Sequence, residues 1–271
     1  MYKKIYIPGY YLLISRLKTK GEKLSFFIVF PGFIFYLLVM FSDRNVEALF
    51  SPFLFAFLAW LSAYEIGYLE NDVITVRKEK FPNYRISREL AREIFFNFKE
   101  LTLGKYLISV ILLMVITLFG ISYMSVLIFV FCIIATRICF TLHNFIRSKW
   151  NIATYFSLSF FKYTSFLILF REFISLDLFP ALIISVVLLF PIPRTFEHAT
   201  KGKYGLLKWQ RFIGKHDNFR VYYFTLYFLI SLLIFFVLRN DYARLFLISG
   251  LYFLIYRVSL YILLHLKIYN R

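Results

Sequence analysis

The chain has 271 residues, 61% of them hydrophobic and 22% aromatic, with 36 Phe and 21 Tyr. Ordinary soluble domains are roughly 45–50% apolar, so this composition excludes a conventional water-soluble fold. The formal net charge of +17 is parcelled out between apolar runs, a pattern that points to anionic lipid or a phosphorylated substrate as partner and away from nucleic acid.

Several apolar runs reach the length of about eighteen residues that crosses a bilayer. Eight spans are predicted, at 25–42, 47–70, 104–120, 122–143, 152–171, 178–194, 219–238 and 243–266. The short alternating strands of a closed barrel are missing, so the expected class is all-α: a polytopic membrane helix bundle. The opening stretch MYKKIYIPGYYLLISRLKTKGEK has a broken apolar part followed by bases. It does not read as a cleavable signal, and it suits an amphipathic segment along the membrane surface. Cys132 and Cys139 fall within one span, without disulfide or zinc spacing, and read as packing residues.

Lys and Arg separate the connections into two sets. The basic set is 1–24, 71–103, 144–151, 195–218 and 267–271, and the intervening turns are short. Positive loops stay in the cytoplasm, which places both termini and both long loops on the inner side of a cytoplasmic membrane. The chain also reads as doubled, a single membrane domain with pseudo-repeats at 25–143 and 152–266 around a central cavity. Asp72 and Glu197 occupy matching places, at the inner ends of the second and sixth spans. Internal repeats with a site at their interface recur in membrane proteins.

The end of the second span carries the densest polar pattern. Glu65, Asp72 and Glu79 are spaced by seven, close to two helical turns, so a continuing helix stacks them on one face with Tyr68 and Thr75 near it and Asn71 beside it. These are oxygen ligands of the kind that Mg²⁺ takes, with substrate phosphate and water completing the shell. Arg77, Lys78 and Arg85 follow at once and suit the remaining phosphate oxygens. Glu70 and Lys80 read as an ordinary interfacial helix end.

The run NDVITVRKE, residues 71–79, resembles the first motif of the UbiA superfamily of intramembrane prenyltransferases, N-D-x-x-D-x-x-x-D. Asn71 and Asp72 match it, Thr75 stands at the second Asp, and Glu79 replaces the third. FPNYRI resembles the K-P-x-R-P-[IL] that follows in the family, with Arg85 as the matching arginine. The resemblance implies an eight- to nine-span bundle, two Mg²⁺ ions held between two acidic motifs, and a prenyl diphosphate as donor. In the matching second stretch, PIPRTFEHATKGKYG at 191–205, Glu197 is the only acid. Arg194, His198, Lys201 and Lys203 make that stretch basic, so cationic side chains are expected to share the diphosphate with metal.

Glu65 lies inside a span, where an ionisable group is costly and commonly functional; a structural ion pair is its other reading. Arg137, Lys162 and Arg257 also lie within spans. For Arg137 and Lys162, pairing with Glu65, holding a lipid phosphate and snorkelling all stay open; Arg257 reads as structural. His143 and Asn144 end the fourth span, and no zinc spacing joins the histidines. Lys208, Arg211 and Lys215 suit an amphipathic interfacial helix.

The expected function is thus a Mg²⁺-dependent transferase with diphosphate as leaving group, passing a prenyl group from an isoprenoid diphosphate to a small or lipid acceptor. An alternative keeps the leaving group and reverses the polarity. A soluble sugar diphosphate such as phosphoribosyl diphosphate is then the donor, and polyprenyl phosphate the acceptor, in cell-envelope polysaccharide synthesis. A third reading is a non-catalytic lipid-binding or transport protein. Asp72, Glu79 and Glu197 carry the chemistry in the transferase readings, with Asn71, Asp72 and Glu79 on the metal.

Overall fold

The computed structural model describes residues 2–78, 82, 84–146 and 148–266. Among these the chain is all helix and turn, with no strand. In chain order the helices are α1 (Tyr10–Ser15), α2 (Lys20–Phe41), α3 (Val46–Lys78), α4 (Arg88–Phe96), α5 (Phe98–Thr117), α6 (Tyr123–Phe145), α7 (Trp150–Leu169), α8 (Leu178–Ala199), α9 (Leu207–Ile213), α10 (His216–Leu238) and α11 (Asp241–His265). Eight of them, α2, α3, α5–α8, α10 and α11, are long and apolar enough to cross a membrane. They overlap the eight predicted spans one for one, and the chain is an integral membrane helix bundle. Both cysteines are free.

Local chemistry sets the helix starts. Thr19 opens α2 with a capping box: its hydroxyl accepts from the Glu22 amide at 3.1 Å, and the Glu22 carboxylate accepts from the Thr19 amide at 2.8 Å. Asn45 caps α3 by accepting from the Ala48 amide at 2.9 Å. Within α2, Pro31 removes a donor, and the helix widens into a π turn over Ile28–Gly32. The Tyr252 hydroxyl of α11 donates to the Ile28 carbonyl at 3.0 Å, which satisfies a loosened backbone group at membrane depth.

The second span runs well past its predicted end at 70. After Glu70 it continues through a π stretch, Asn71–Thr75, and a 3₁₀ turn, Val76–Lys78. This helix is the most enclosed of the spans, with 56% of its apolar window buried, against 17% for α10. The core gathers on its Trp60, against Phe30 of α2 and Phe166 of α7. Tyr163 stacks on Phe190 at 4.0 Å and joins α7 to the break in α8.

Residues 2–16 pack against the bundle instead of lying free along a membrane surface. Ile5 and Tyr11 are fully buried, and Leu12 nearly so. Gly9, at φ +88°, turns the chain down onto α3, where a Cβ would press on Leu61 at 3.1 Å. The segment therefore packs over the C-terminal part of α3, and that position governs the polar chemistry below.

Candidate functional site

A chamber of about 400 Å³ opens among α2, α3, α6, α7 and α8. Its walls are mixed. Phe26, Val29, Phe30 and Phe140 are apolar; Tyr64, Tyr68, Tyr155 and Tyr163 bring rings with hydroxyls; His143, Lys162 and Arg194 bring nitrogen. Glu22 at its edge is the only acid among the lining residues. A second, apolar groove of about 430 Å³ runs between the N-terminal segment, α2 and α3, past Phe35, Phe50, Phe53 and Phe57. Leu17 and Phe26 form walls of both.

Lys162 is the chamber's distinctive group. Its ammonium lies 4.7 Å from the centroid of Phe30, 5.2 Å from Tyr163, 5.4 Å from Tyr64 and 5.5 Å from Phe26. Among the described residues it has no hydrogen bond and no carboxylate partner. The rings attract the cation but accept no proton from it, so its donors remain available to a ligand. Arg194 is one-third exposed and reaches Glu197 only at 3.8 Å.

The predicted acidic face forms only in part. Glu65 and Asp72 do lie on one side of α3, as their spacing requires, and the N-terminal segment covers that side. Glu65 is fully buried; it accepts from Lys105 of α5 at 2.7 Å and from the amides of Leu12 at 2.6 Å and Gly9 at 3.1 Å. The partner is therefore Lys105, and neither Arg137, Lys162 nor Arg257. Asp72 takes a two-pronged ion pair from Arg16, both contacts at 2.8 Å, and accepts from the Tyr11 hydroxyl at 2.8 Å. Asn71 spends its amide on the same carboxylate, donating at 3.2 Å. Burial opposes the charge on Arg16, but its bonds to Asp72 outweigh that and raise its pKa; burial and then the Asp72 charge raise that of Tyr11. The Arg16 guanidinium also lies over the Tyr68 ring at 4.5 Å.

Glu197 is held in a parallel way. Arg220, from the start of α10, grips it through Nε and, at 2.7 Å, through Nη2. Arg257 of α11 is buried, its Nε has no partner, and it stands within electrostatic reach of Arg194, Arg220 and Glu197. Arg220 and, at longer range, Arg194 thus contact this carboxylate, with the half-exposed Asp217 as a further acid, 3.3 Å from Arg220.

These facts bear on magnesium. A Mg²⁺ ion needs carboxylate oxygens turned towards open space. The oxygens of Asp72 and Glu197 receive N–H and O–H donors instead, and the Asn71 amide donates to Asp72. Among the described residues no three His, Cys, Asp or Glu side chains gather as a metal site. Thr75 is buried with its hydroxyl unpartnered and brings no charge. Glu79, the third predicted ligand, lies outside the described residues. The described residues do not fit a magnesium centre.

The remaining predicted residues are dispersed. Glu70 and Arg137 pair at 2.7 Å with Thr141 beside them, which makes Arg137 structural and gives Glu70 a partner. Arg77 lies over the Phe95 ring at 3.6 Å, Lys78 over Phe145 at 5.3 Å and Lys203 over Tyr204 at 4.8 Å. Arg85 and Lys201 are exposed; desolvation, then repulsion from Lys203 and Arg85, lowers the Lys201 pKa. His198 is committed to architecture: it stacks on Tyr155 at 4.1 Å, and its Nε2 lies 3.0 Å from Asn151 Oδ1 and 2.7 Å from the Tyr204 hydroxyl. Asn151 donates to the carbonyls of His143 and Ile146 at 2.6 and 2.7 Å, closing the end of α6. Asn144 donates at 3.4 Å to the Gly67 carbonyl. The basic stretch after α8 does fold as a helix, α9, anchored by Trp209 donating to the Phe196 carbonyl at 3.0 Å.

Sequence reasoning missed Tyr11, Arg16, Lys105, Asn151 and Arg220. One signal pointed to them in general: an acid buried in a membrane requires a cation or donors. Spacing could not say which. No protein-family model matches the chain, no curated protein does, and no solved structure does.

Proposed function

We propose that the protein binds a phosphorylated isoprenoid lipid, with the anionic head in the chamber and the chain in the adjoining groove, and transfers a group to or from it. One observation carries this reading: the Lys162 ammonium faces the chamber without an acid to neutralise it. A bare cation at membrane depth is expensive, and an anionic ligand is its natural counter-charge. Arg194 adds a second positive group on the same wall. The aromatic groove supplies an apolar path for a chain, at about 25 cal/mol per Å² of surface removed from water. The positive-inside asymmetry of the loops supports a chamber mouth and both termini at the cytoplasmic face.

The transfer itself rests on the resemblance of residues 71–85 to the UbiA motif. Lys162 favours the reversed polarity. An allylic cation shed by a prenyl diphosphate needs the π faces of an aromatic cage. Here Phe26, Phe30, Tyr64 and Tyr163 already surround an ammonium, and a second positive charge there meets repulsion. A lipid phosphate is attracted instead. Its oxygen then attacks the anomeric carbon of a sugar diphosphate, forming a carbon–oxygen bond as the bond to diphosphate breaks. Prenyl transfer from a diphosphate donor is the competing polarity within the same site.

Mass spectrometry of lipid extracted from the purified full chain tests the binding claim. A phosphorylated isoprenoid should copurify with the wild type and be lost from Lys162→Met. Recovery of bulk phospholipid alone, in equal amount from both proteins, would sink it. Incubation with labelled phosphoribosyl diphosphate plus polyprenyl phosphate, and separately with a prenyl diphosphate, tells the two polarities apart by which lipid gains or loses label.

A further inference from the structure

We infer that the chamber recognises its anion with protein cations alone, and that Arg16 and Arg220 are built-in counter-ions standing where the resemblance would put divalent metal. The inference rests on reading the chamber as an anion site, and it changes how that site works. In a metal clamp, carboxylates hold a dication and the dication holds phosphate. Here the order of charges is different at both matching helix ends.

At the end of α3, Asp72 accepts two bonds from Arg16, one from Tyr11 and one from Asn71. Two carboxylate oxygens offer about four lone-pair sites, so those four donors use the available directions. At the end of α8, Glu197 takes the forked contact from Arg220 and a longer one from Arg194. A fork of this kind suits the planar guanidinium in a way that a point charge does not reproduce. The two arginines come from unrelated parts of the chain, one before the first span and one opening the seventh. Each acid is met by its own guanidinium, and neither pair lines the chamber.

The charge count points the same way. Lys162 and Arg194 line the chamber against a single acid, Glu22, whose carboxylate already accepts from the Lys18 and Thr19 amides, so cations outnumber acids on its walls before any metal is added. A dication would deepen that excess. An anion relieves it.

The experiment uses the full chain in lipid nanodiscs, with inorganic pyrophosphate as the probe. Pyrophosphate at millimolar concentration should raise the unfolding midpoint by about 2 °C or more, by the same amount in EDTA as in magnesium buffer. A shift that appears only with magnesium overturns the inference. A second arm counts bound Mn²⁺ directly by electron paramagnetic resonance, without pyrophosphate. No immobilised Mn²⁺ should be seen on the wild type; one or more per chain, abolished by Asp72→Asn, overturns it independently. If pyrophosphate shifts the midpoint in neither buffer, the anion-site reading fails and the inference falls with it; bound Mn²⁺ lost in Asp72→Asn would identify metal as the reason.

Discussion

The ends of α3 and α8 each bury one acid against a forked arginine. Their surroundings differ in sign. At Asp72 the count is one acid and one base, closed by Tyr11 and Asn71, and the cluster ties the N-terminal segment to α3. At Glu197 two guanidinium groups, Arg220 and Arg194, contact one carboxylate, and Arg194 reaches the chamber wall. The first end is a neutral clasp. The second carries surplus positive charge and borders the site. The two ends have thus been put to unlike use, and the difference lies in the partners that arrive from elsewhere in the sequence.

Removing each acid separates the two roles. The larger effect is expected from Glu197→Gln. Buried or half-buried guanidinium groups then repel one another without a screen, and loss of one partner from such a pair costs about 3 kcal/mol, the low end for buried pairs because Arg194 is partly wet. Unfolding in detergent should report the loss, and added pyrophosphate should restore part of it by replacing the missing charge. A variant that is destabilised but indifferent to pyrophosphate would show that the second end holds no anion.

Asp72→Asn should cost less, about 1.5–3 kcal/mol, the range for hydrogen bonds to a charged group. Only one guanidinium, Arg16, is released there, with no second cation on the carboxylate to repel it. Pyrophosphate should leave this loss unchanged, since the cluster is neutral and apart from the chamber. Limited proteolysis adds a second readout: the N-terminal segment should be cut faster, because Asp72 holds both Arg16 and Tyr11. Rescue by pyrophosphate equal to that of Glu197→Gln would erase the distinction between the two ends.

The sequence disclosed the features that obey a local rule. Span positions follow from apolar run length, and all eight recur. The seven-residue spacing of Glu65 and Asp72 correctly placed them on one side of α3. The partners did not follow, because Arg16 lies 56 positions from Asp72 and Lys105 lies 40 positions from Glu65. No periodicity reports a contact across such a separation. The open acidic face failed for the same reason: the segment that covers it belongs to residues 9–16, which by themselves read as a surface helix. The π stretch over Asn71–Thr75 has no composition signal either, and it carries the helix beyond the predicted boundary at 70. The resemblance at 71–79 draws attention to the end of α3. What Asp72 does there is decided by Arg16, a residue outside the motif.

Lys162→Met offers the smallest change in stability and the strongest discrimination. In the apo protein the ammonium gains from the rings around it, each such contact being worth about 0.5–2 kcal/mol, and it loses the hydration of a charge without a carboxylate in return. These terms oppose each other, so the substitution should move apo stability by no more than about 1 kcal/mol in either direction. Methionine fills a similar volume and keeps contact with the rings, which removes cavity formation as a confounding cost. Ligand response should behave differently. If the chamber is the anion site, the pyrophosphate-induced shift should vanish in Lys162→Met while surviving in Asp72→Asn. The outcome turns on sign and location together: an ammonium retained only for packing would, when replaced, alter the unfolding midpoint and leave the ligand shift as it was.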